Sequence, residues 1–373
     1  MSVPIEQEAS FTAPSPVFVV GSGRCGSTLI SNMLRLHADV LSLSEFFTFV
    51  TDLGTLIPPA FPEGPVAANR FWEIIGTAYR KQNLMLRKGV AMKEVLYPCA
   101  PTSRFNAQKG VPAILQATLP HLTQDHDRLF DEIRRFVLGR ESVHIEEHYS
   151  RLFMWLQERF QRRVWVERSG SSIRIVGRLS RLFPEARFVH IVRDGRNCAF
   201  SMSRHLGFRM VLLAFLLTEI LGCDPFENTD RSGTRDLPDD LYPLLPEHFD
   251  PQAFLEYEPP PSLYGHYWSG ELIQGLKVLS QLPAERVLTL HYEEALVDFS
   301  SFAERLITFI DPAFANDDWL EQSQKLIRPA RSAWQTLPAQ EQKFLQAACK
   351  PGFRALKEFE QGMRKFSGTY PHH

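Results

Sequence analysis

The segment Gly21-Ser-Gly-Arg-Cys-Gly-Ser-Thr28 constrains this chain most. It follows a short apolar, β-rich run, Pro16-Val-Phe-Val-Val20, which reads as a buried parallel strand. It leads into Ser27–Leu36, where apolar residues at 29, 30, 33, 34 and 36 keep helical spacing. Val40-Leu-Ser-Leu43 then reads as a second strand, which completes a βαβ unit. Glycines at such a turn let the backbone approach a phosphate closely. The free N–H groups and the positive end of the helix dipole then bind it. Arg24 adds a charged fork, and Ser27 and Thr28 add hydroxyl donors.

Three readings compete for this loop. As a P-loop it spells GxxxxG followed by Ser-Thr, so Ser27 stands where the Walker lysine would serve the β- and γ-phosphates. That departure weighs against an ATPase or kinase. Gly21, Gly23 and Gly26 also match the dinucleotide fingerprint GxGxxG, and Glu45 lies where a ribose-binding acid belongs, about 20 residues on. A Rossmann-type NAD(P)-dependent oxidoreductase is therefore a serious rival. A bare strand–helix turn is the weakest reading, because it explains neither the arginine nor the paired hydroxyls.

The rest of the chain continues the alternation. Arg163-Val-Trp-Val166 is strand-like, Ser172 to Leu182 is helical and Arg187-Phe-Val-His-Ile-Val192 is a strong strand. A helix over Asn197–Arg204, a strand at Val287-Leu-Thr-Leu290 and a helix over Phe299–Ile310 follow. This order predicts an α/β fold with a parallel sheet covered by helices on both faces. The whole chain, 1–373, is expected to be one domain. It carries a helical insertion at about 51–162, with helical stretches near 66–86, 112–138 and 145–161. A Pro/Asp-rich insertion at about 224–262 reads as a surface excursion, either a lid or a plain insertion.

Composition sets limits on partners. The net charge is −2, with 41 basic against 43 acidic residues, so neither a nucleic-acid coat nor a polybasic anchor is indicated. An anionic ligand needs a local cluster of cations instead. Five cysteines without a CxxC pair suggest neither a disulfide framework nor a zinc site. Met1 to Pro16 lacks a basic start and an apolar core, so no signal peptide is read, and a cytoplasmic location is expected. The apolar run Met210–Leu221 is short of the roughly 20 residues that span a bilayer and reads as a buried helix. His144, Glu146, Glu147 and His148 alternate on a helix in a way that suggests a solvated face rather than a metal site.

The segment Arg187-Phe-Val-His-Ile-Val-Arg-Asp-Gly-Arg196 decides between the readings. A charged turn stands at the carboxyl end of a buried strand, where open α/β sheets bind ligands. Arg193 leaves the strand there, and Ser201 follows in the next helix, placed to point back at the same group. The chain therefore has two basic strand ends.

In these two motifs the chain resembles the sulfotransferase family. Arg24-Cys-Gly-Ser-Thr-Leu29 is similar to the family's 5′-phosphosulfate loop, and Val192-Arg-Asp-Gly-Arg196 with Ser201 is similar to its 3′-phosphate motif. The pattern is closest to tyrosylprotein, carbohydrate and bacterial small-molecule sulfotransferases. The resemblance implies a three-layer P-loop-like α/β fold and 3′-phosphoadenosine-5′-phosphosulfate as donor, with no metal. It implies Arg24, Cys25, Gly26, Ser27, Thr28, Leu29, Arg193 and Ser201 as donor-binding residues. Glu45 takes the place of the family's carboxylate base.

Arg168, in Glu167-Arg-Ser-Gly170, takes the place of a basic residue, usually lysine, that would stabilise the leaving phosphate; Lys93, at the end of the strand-like run Val90-Ala-Met-Lys-Glu-Val95, competes for that role. Tyr292 and Arg328 match softer C-terminal features and would also contact the nucleotide. The acceptor is expected to be a small molecule, with a sugar hydroxyl or a peptide tyrosine as alternatives, and no nucleic-acid partner is expected. Whether the chain forms homo-oligomers stays open. A non-catalytic nucleotide-binding protein is the third reading.

Overall fold

The computed structural model describes residues 15–328 and 333–367. Five parallel strands form the central sheet: β1 (Val17–Val20), β2 (Val40–Ser44), β5 (Val164–Arg168), β6 (Arg187–Val192) and β7 (Val287–His291). Two short strands, β3 (Pro65–Val66) and β4 (Val143–His144), pair antiparallel outside it. The sheet order is β2-β5-β1-β6-β7. The chain leaves β1 toward β2, and after β5 it crosses β1 to reach β6. The winding direction therefore reverses around β1, which places the ligand crevice above that strand's carboxyl end.

The apolar strand runs fix this arrangement. β1, β2 and β5 are buried at every position, as strands covered on both faces must be. In register, Val19 stands opposite Arg168 and Ser44 does so too, so the carboxyl ends of β1, β5 and β2 finish level. Helices flank the sheet. The helix α1 (Ser27–Leu36) begins and ends where its spacing predicts, as do β6 and the helix Phe299–Ile310. The long C-terminal helix Ala339–Ser367 packs along the helix Pro261–Leu279.

Three sequence expectations change. Val90-Ala-Met-Lys-Glu-Val95 forms no strand but a loop, with Lys93 exposed on it. The Asp224–Pro261 segment is not a plain surface excursion. It forms two 3₁₀ turns and the helix Pro251–Glu256, and it buries Phe226, Leu241, Leu244, Leu245, Phe249 and Phe254. Its apolar residues follow no helical or strand period because irregular turns carry them inward. His148 is turned into the core rather than onto a solvated face. Its Nε2 lies 2.7 Å from the Val66 carbonyl and its ring stacks on Phe71.

No helix among the described residues is long and apolar enough to cross a membrane. Of Met1 to Pro16, read above as lacking a signal peptide, residues 1–14 lie outside the described residues.

Candidate active site

The carboxyl ends of the five strands form the floor of a cavity of about 490 Å³. Read along the sheet, β2 contributes Glu45, β5 contributes Gly170 and Ser171, β1 the glycine loop, β6 Arg193, and β7 Tyr292. The linear order of the strands gives the cavity two sides. The glycine loop and Arg193, groups suited to holding an anion, stand over β1 and β6 with Tyr292 beside them over β7, and Glu45 stands over β2.

On the anion side, Gly26 adopts φ 97° and precedes the helix Ser27–Leu36. A Cβ there would fall 2.2 Å from the Tyr292 ring, so only glycine fits the turn beneath that tyrosine. Ser27, Thr28 and Leu29 line the cavity at the helix N-terminus, whose first N–H groups have no intrahelical acceptor. Arg24 Nε donates to Ser201 Oγ at 3.1 Å, which brings the two motifs into contact across 177 residues of chain. The Arg193 guanidinium donates to the Arg24 carbonyl at 3.2 Å and lies 4.9 Å over the Tyr292 ring. Arg196 belongs elsewhere: it pairs with Asp194 at 2.5 Å and lies over the Trp334 ring. Asp194 in turn caps the helix Gly195–Ser203 that carries Ser201. Arg328 is exposed at the cavity rim.

On the other side, Glu45 is buried and held by three donors. Thr48 Oγ1 donates to its Oε2 at 2.5 Å, the Gly170 N–H donates to the same oxygen at 2.8 Å, and the Arg168 guanidinium bonds Oε1. Arg168 also donates to Ser44 Oγ at 2.6 Å. The short helix α2 (Phe46–Val50) starts here, and its Phe47 and Thr48 N–H groups donate to Ser169 Oγ from the β5 turn. Buried Glu167 accepts from Ser169 Oγ rather than from Arg168, and burial pushes its carboxyl up to about 8 against the lowering effect of Ser169 and Arg168. Arg24, Glu45 and Ser171 all have positive φ (53°, 58° and 56°), so three strand ends in a row carry a strained non-glycine residue.

Two of the sequence-chosen residues do not reach the cavity wall. Cys25 points down into the core, where burial raises its thiol pKa; only its backbone belongs to the loop. Arg168 lies behind Glu45, and its guanidinium is engaged by that carboxylate and Ser44. Its geometry is that of a residue positioning Glu45, not of a cation facing a leaving group. Lys93 does not reach the cavity either.

Three ionisable lining residues were not read from the sequence. Glu94 bonds Arg24 Nη1 at 3.0 Å and His205 Nε2 at 2.9 Å. Burial would raise its carboxyl, but the bond and charge of His205 and the Arg24 guanidinium outweigh this and hold it at about 2. The third is Arg174, on the 3₁₀ turn Ser172–Ile175 after β5. The only signal for these was their nearness in sequence to chosen residues, Glu94 beside Lys93 and His205 just after Ser201. Among the described residues no group of three or more His, Cys, Asp or Glu side chains is arranged to hold a metal ion.

The strand order also separates the rival readings. In the dinucleotide fold, order 3-2-1-4-5-6, the acidic residue ends the strand beside the glycine loop. Here β5 lies between β2 and β1, so Glu45 stands two strands, roughly 10 Å, from the loop's own strand.

The sequence model of the sulfotransferase family matches residues 16–216, more than half of the chain, and the protein belongs to that family of transferases. The match spans both basic motifs and Glu45. No curated protein matches the chain in sequence. Among solved structures, the chain is similar to the sulfotransferase domain from the curacin biosynthetic pathway, at 14% identity and TM-score 0.48, covering 93% of this chain and 98% of that one. It is also similar to the sulfotransferase domain from the Synechococcus PCC 7002 olefin synthase, at 14% identity and TM-score 0.47, covering 92% and 96%. Sulfotransferase STF9 from Mycobacterium avium aligns at 16% identity and TM-score 0.44, covering 93% and 77%.

Proposed function

We propose that this chain moves a sulfuryl group from 3′-phosphoadenosine-5′-phosphosulfate to a hydroxyl or amine of a small molecule by in-line displacement. The observation that carries this reading is that both basic strand ends and Glu45 line one cavity, in the order a two-phosphate donor and an acceptor require. The donor's 5′-phosphosulfate lies on the loop Arg24–Leu29, and its 3′-phosphate lies on Arg193 and Ser201. Tyr292 and Arg328 border the nucleotide. The acceptor enters from the Glu45 side. Its oxygen or nitrogen forms a bond to sulfur while the bond from sulfur to the phosphate oxygen breaks, and Glu45 takes the acceptor's proton. The loop N–H groups, Ser27, Thr28 and Arg24 stabilise the charge gained by the leaving phosphate. Arg168 orients Glu45.

Calorimetry with 3′,5′-adenosine bisphosphate, NAD and ATP tests the donor assignment. The bisphosphate is expected to bind and the other two to bind far more weakly. Arg193→Ala removes a charge-assisted contact worth roughly 1.5–3 kcal/mol, which weakens the bisphosphate on the order of ten- to a hundredfold. Adenosine 5′-phosphate, which lacks the 3′ group, is expected to lose little. Equal losses for the two nucleotides would remove the 3′-phosphate assignment. Tight NAD binding would restore the dinucleotide reading.

A further inference from the structure

The cavity wall holds a positioned cation that the sulfuryl donor does not need. Arg174 is half-buried on the turn after β5. Its Nη1 donates to the Tyr267 hydroxyl at 3.2 Å and its Nη2 to the Leu53 carbonyl at 3.4 Å. The guanidinium also lies against Gly54, where an added Cβ would fall 2.2 Å from its carbon. Three contacts from two segments therefore fix its place. Among the described residues no carboxylate comes within 4.0 Å of it, whereas Arg24 in the same wall has Glu94. Buried Glu271 feels its charge, since burial raises that carboxyl and Arg174 opposes the rise, but it makes no ion pair with Arg174. A half-buried guanidinium with no carboxylate in direct contact favours an anion brought by a ligand.

The strand order says which ligand. Arg174 follows β5, and β1 separates β5 from β6, where Arg193 stands. The two guanidiniums thus serve opposite sides of the cavity, and Arg174 shares its side with Glu45 and Thr48. The wall also includes Leu53, Met92, Phe208 and Val211. The Tyr267 ring that holds Arg174 lies 6.1 Å from the Phe208 ring, so the cation and the apolar surface are parts of one wall.

We propose that the acceptor is an amphipathic hydroxy acid, whose apolar body lies on Phe208, Val211, Met92 and Leu53 and whose carboxylate is bound by Arg174. A phosphate ester fits less well, because among the described residues Arg174 is the one guanidinium that lines that side of the cavity. This inference rests on the sulfotransferase reading and deepens it: Arg174 is a specificity-determining residue for that reaction.

The test uses a graded series of ω-(4-hydroxyphenyl)alkanoates, each paired with its carboxamide. Binding is measured by calorimetry on the full chain saturated with 3′,5′-adenosine bisphosphate. At least one acid is expected to bind about ten- to a hundredfold more tightly than its amide. Arg174→Gln is expected to erase that preference and leave bisphosphate affinity unchanged, which also reports that the variant is folded. No preference in any pair, or a preference that survives Arg174→Gln, overturns the proposal while leaving the donor reading intact. If the bisphosphate itself fails to bind the wild-type chain, the sulfotransferase reading falls and this inference falls with it.

Discussion

Glu45→Gln is expected to lower the turnover of sulfuryl transfer by at least about a hundredfold, the low end of general-base effects. The glutamine keeps the side-chain shape but cannot take the acceptor's proton. The structure adds a complication. Glu45 is also the counter-ion of buried Arg168, and breaking a buried ion pair costs on the order of 3–5 kcal/mol. Loss of activity alone would therefore not separate chemistry from a disturbed fold. Two readouts do so. Bisphosphate affinity depends on the β1, β6 and β7 strand ends and is expected to stay near normal. An acceptor already ionised at assay pH needs no base, so the defect is expected to shrink for it. A collapsed site would recover neither. A Glu45→Gln enzyme near the wild-type rate with a neutral hydroxyl acceptor, chemistry being rate-limiting, would remove Glu45 from the mechanism. Attention would then move to His205, whose Nε2 already faces Glu94 in the same cavity.

The parts of the site that could be read from sequence are those where local pattern and function coincide. The loop Gly21–Thr28 sits between an apolar strand and an amphipathic helix, so its place at a strand end followed from periodicity alone. Arg193 was legible for the same reason, ending an apolar run, whereas Glu45 was legible through its place in the pattern the family resemblance implies. What sequence could not show is how side chains divide one another's charge. Arg168 ends β5 as expected, yet register sets it beside Ser44, and the buried Glu45 takes its guanidinium out of the cavity. Glu94 and His205 meet across 111 residues, a pairing that no local period encodes. Lys93 failed for a different reason. The run Val90–Val95 has strand composition, but β2 and β7 form the edges of the sheet, and this segment pairs with neither.

Lys81→Met is expected to destabilise the fold by about 3–5 kcal/mol, the cost of breaking a buried ion pair from one side. Lys81 is fully buried on the helix Arg80–Arg87. Its Nζ lies 2.9 Å from Asp224 Oδ2 and 3.5 Å from Asp52 Oδ2, and 5.2 Å over the Phe226 ring. It thus ties the Asp224–Pro261 segment to the turn after α2, where Asp52, Leu53 and Gly54 all have positive φ. Leu53 lines the cavity, so the same ion pair supports the acceptor wall. The pH dependence follows from Asp52, whose carboxyl is raised to about 6 by burial, with Lys81 opposing that rise. Between the ordinary carboxylate range and about pH 6, the folded chain holds a proton that the unfolded chain has released. That contribution to stability is full at low pH and is lost as pH rises through about 6. Without Lys81 the carboxyl rises further, so the loss extends to higher pH. Denaturant titrations near pH 5 and pH 8 should therefore show a smaller deficit for Lys81→Met at the lower pH. Adding Asp52→Asn to the variant should recover part of the loss at pH 8, because it removes the buried charge left without a partner. A deficit independent of pH and untouched by Asp52→Asn would mean that Lys81 acts by packing on Phe226 alone, not by neutralising the two aspartates.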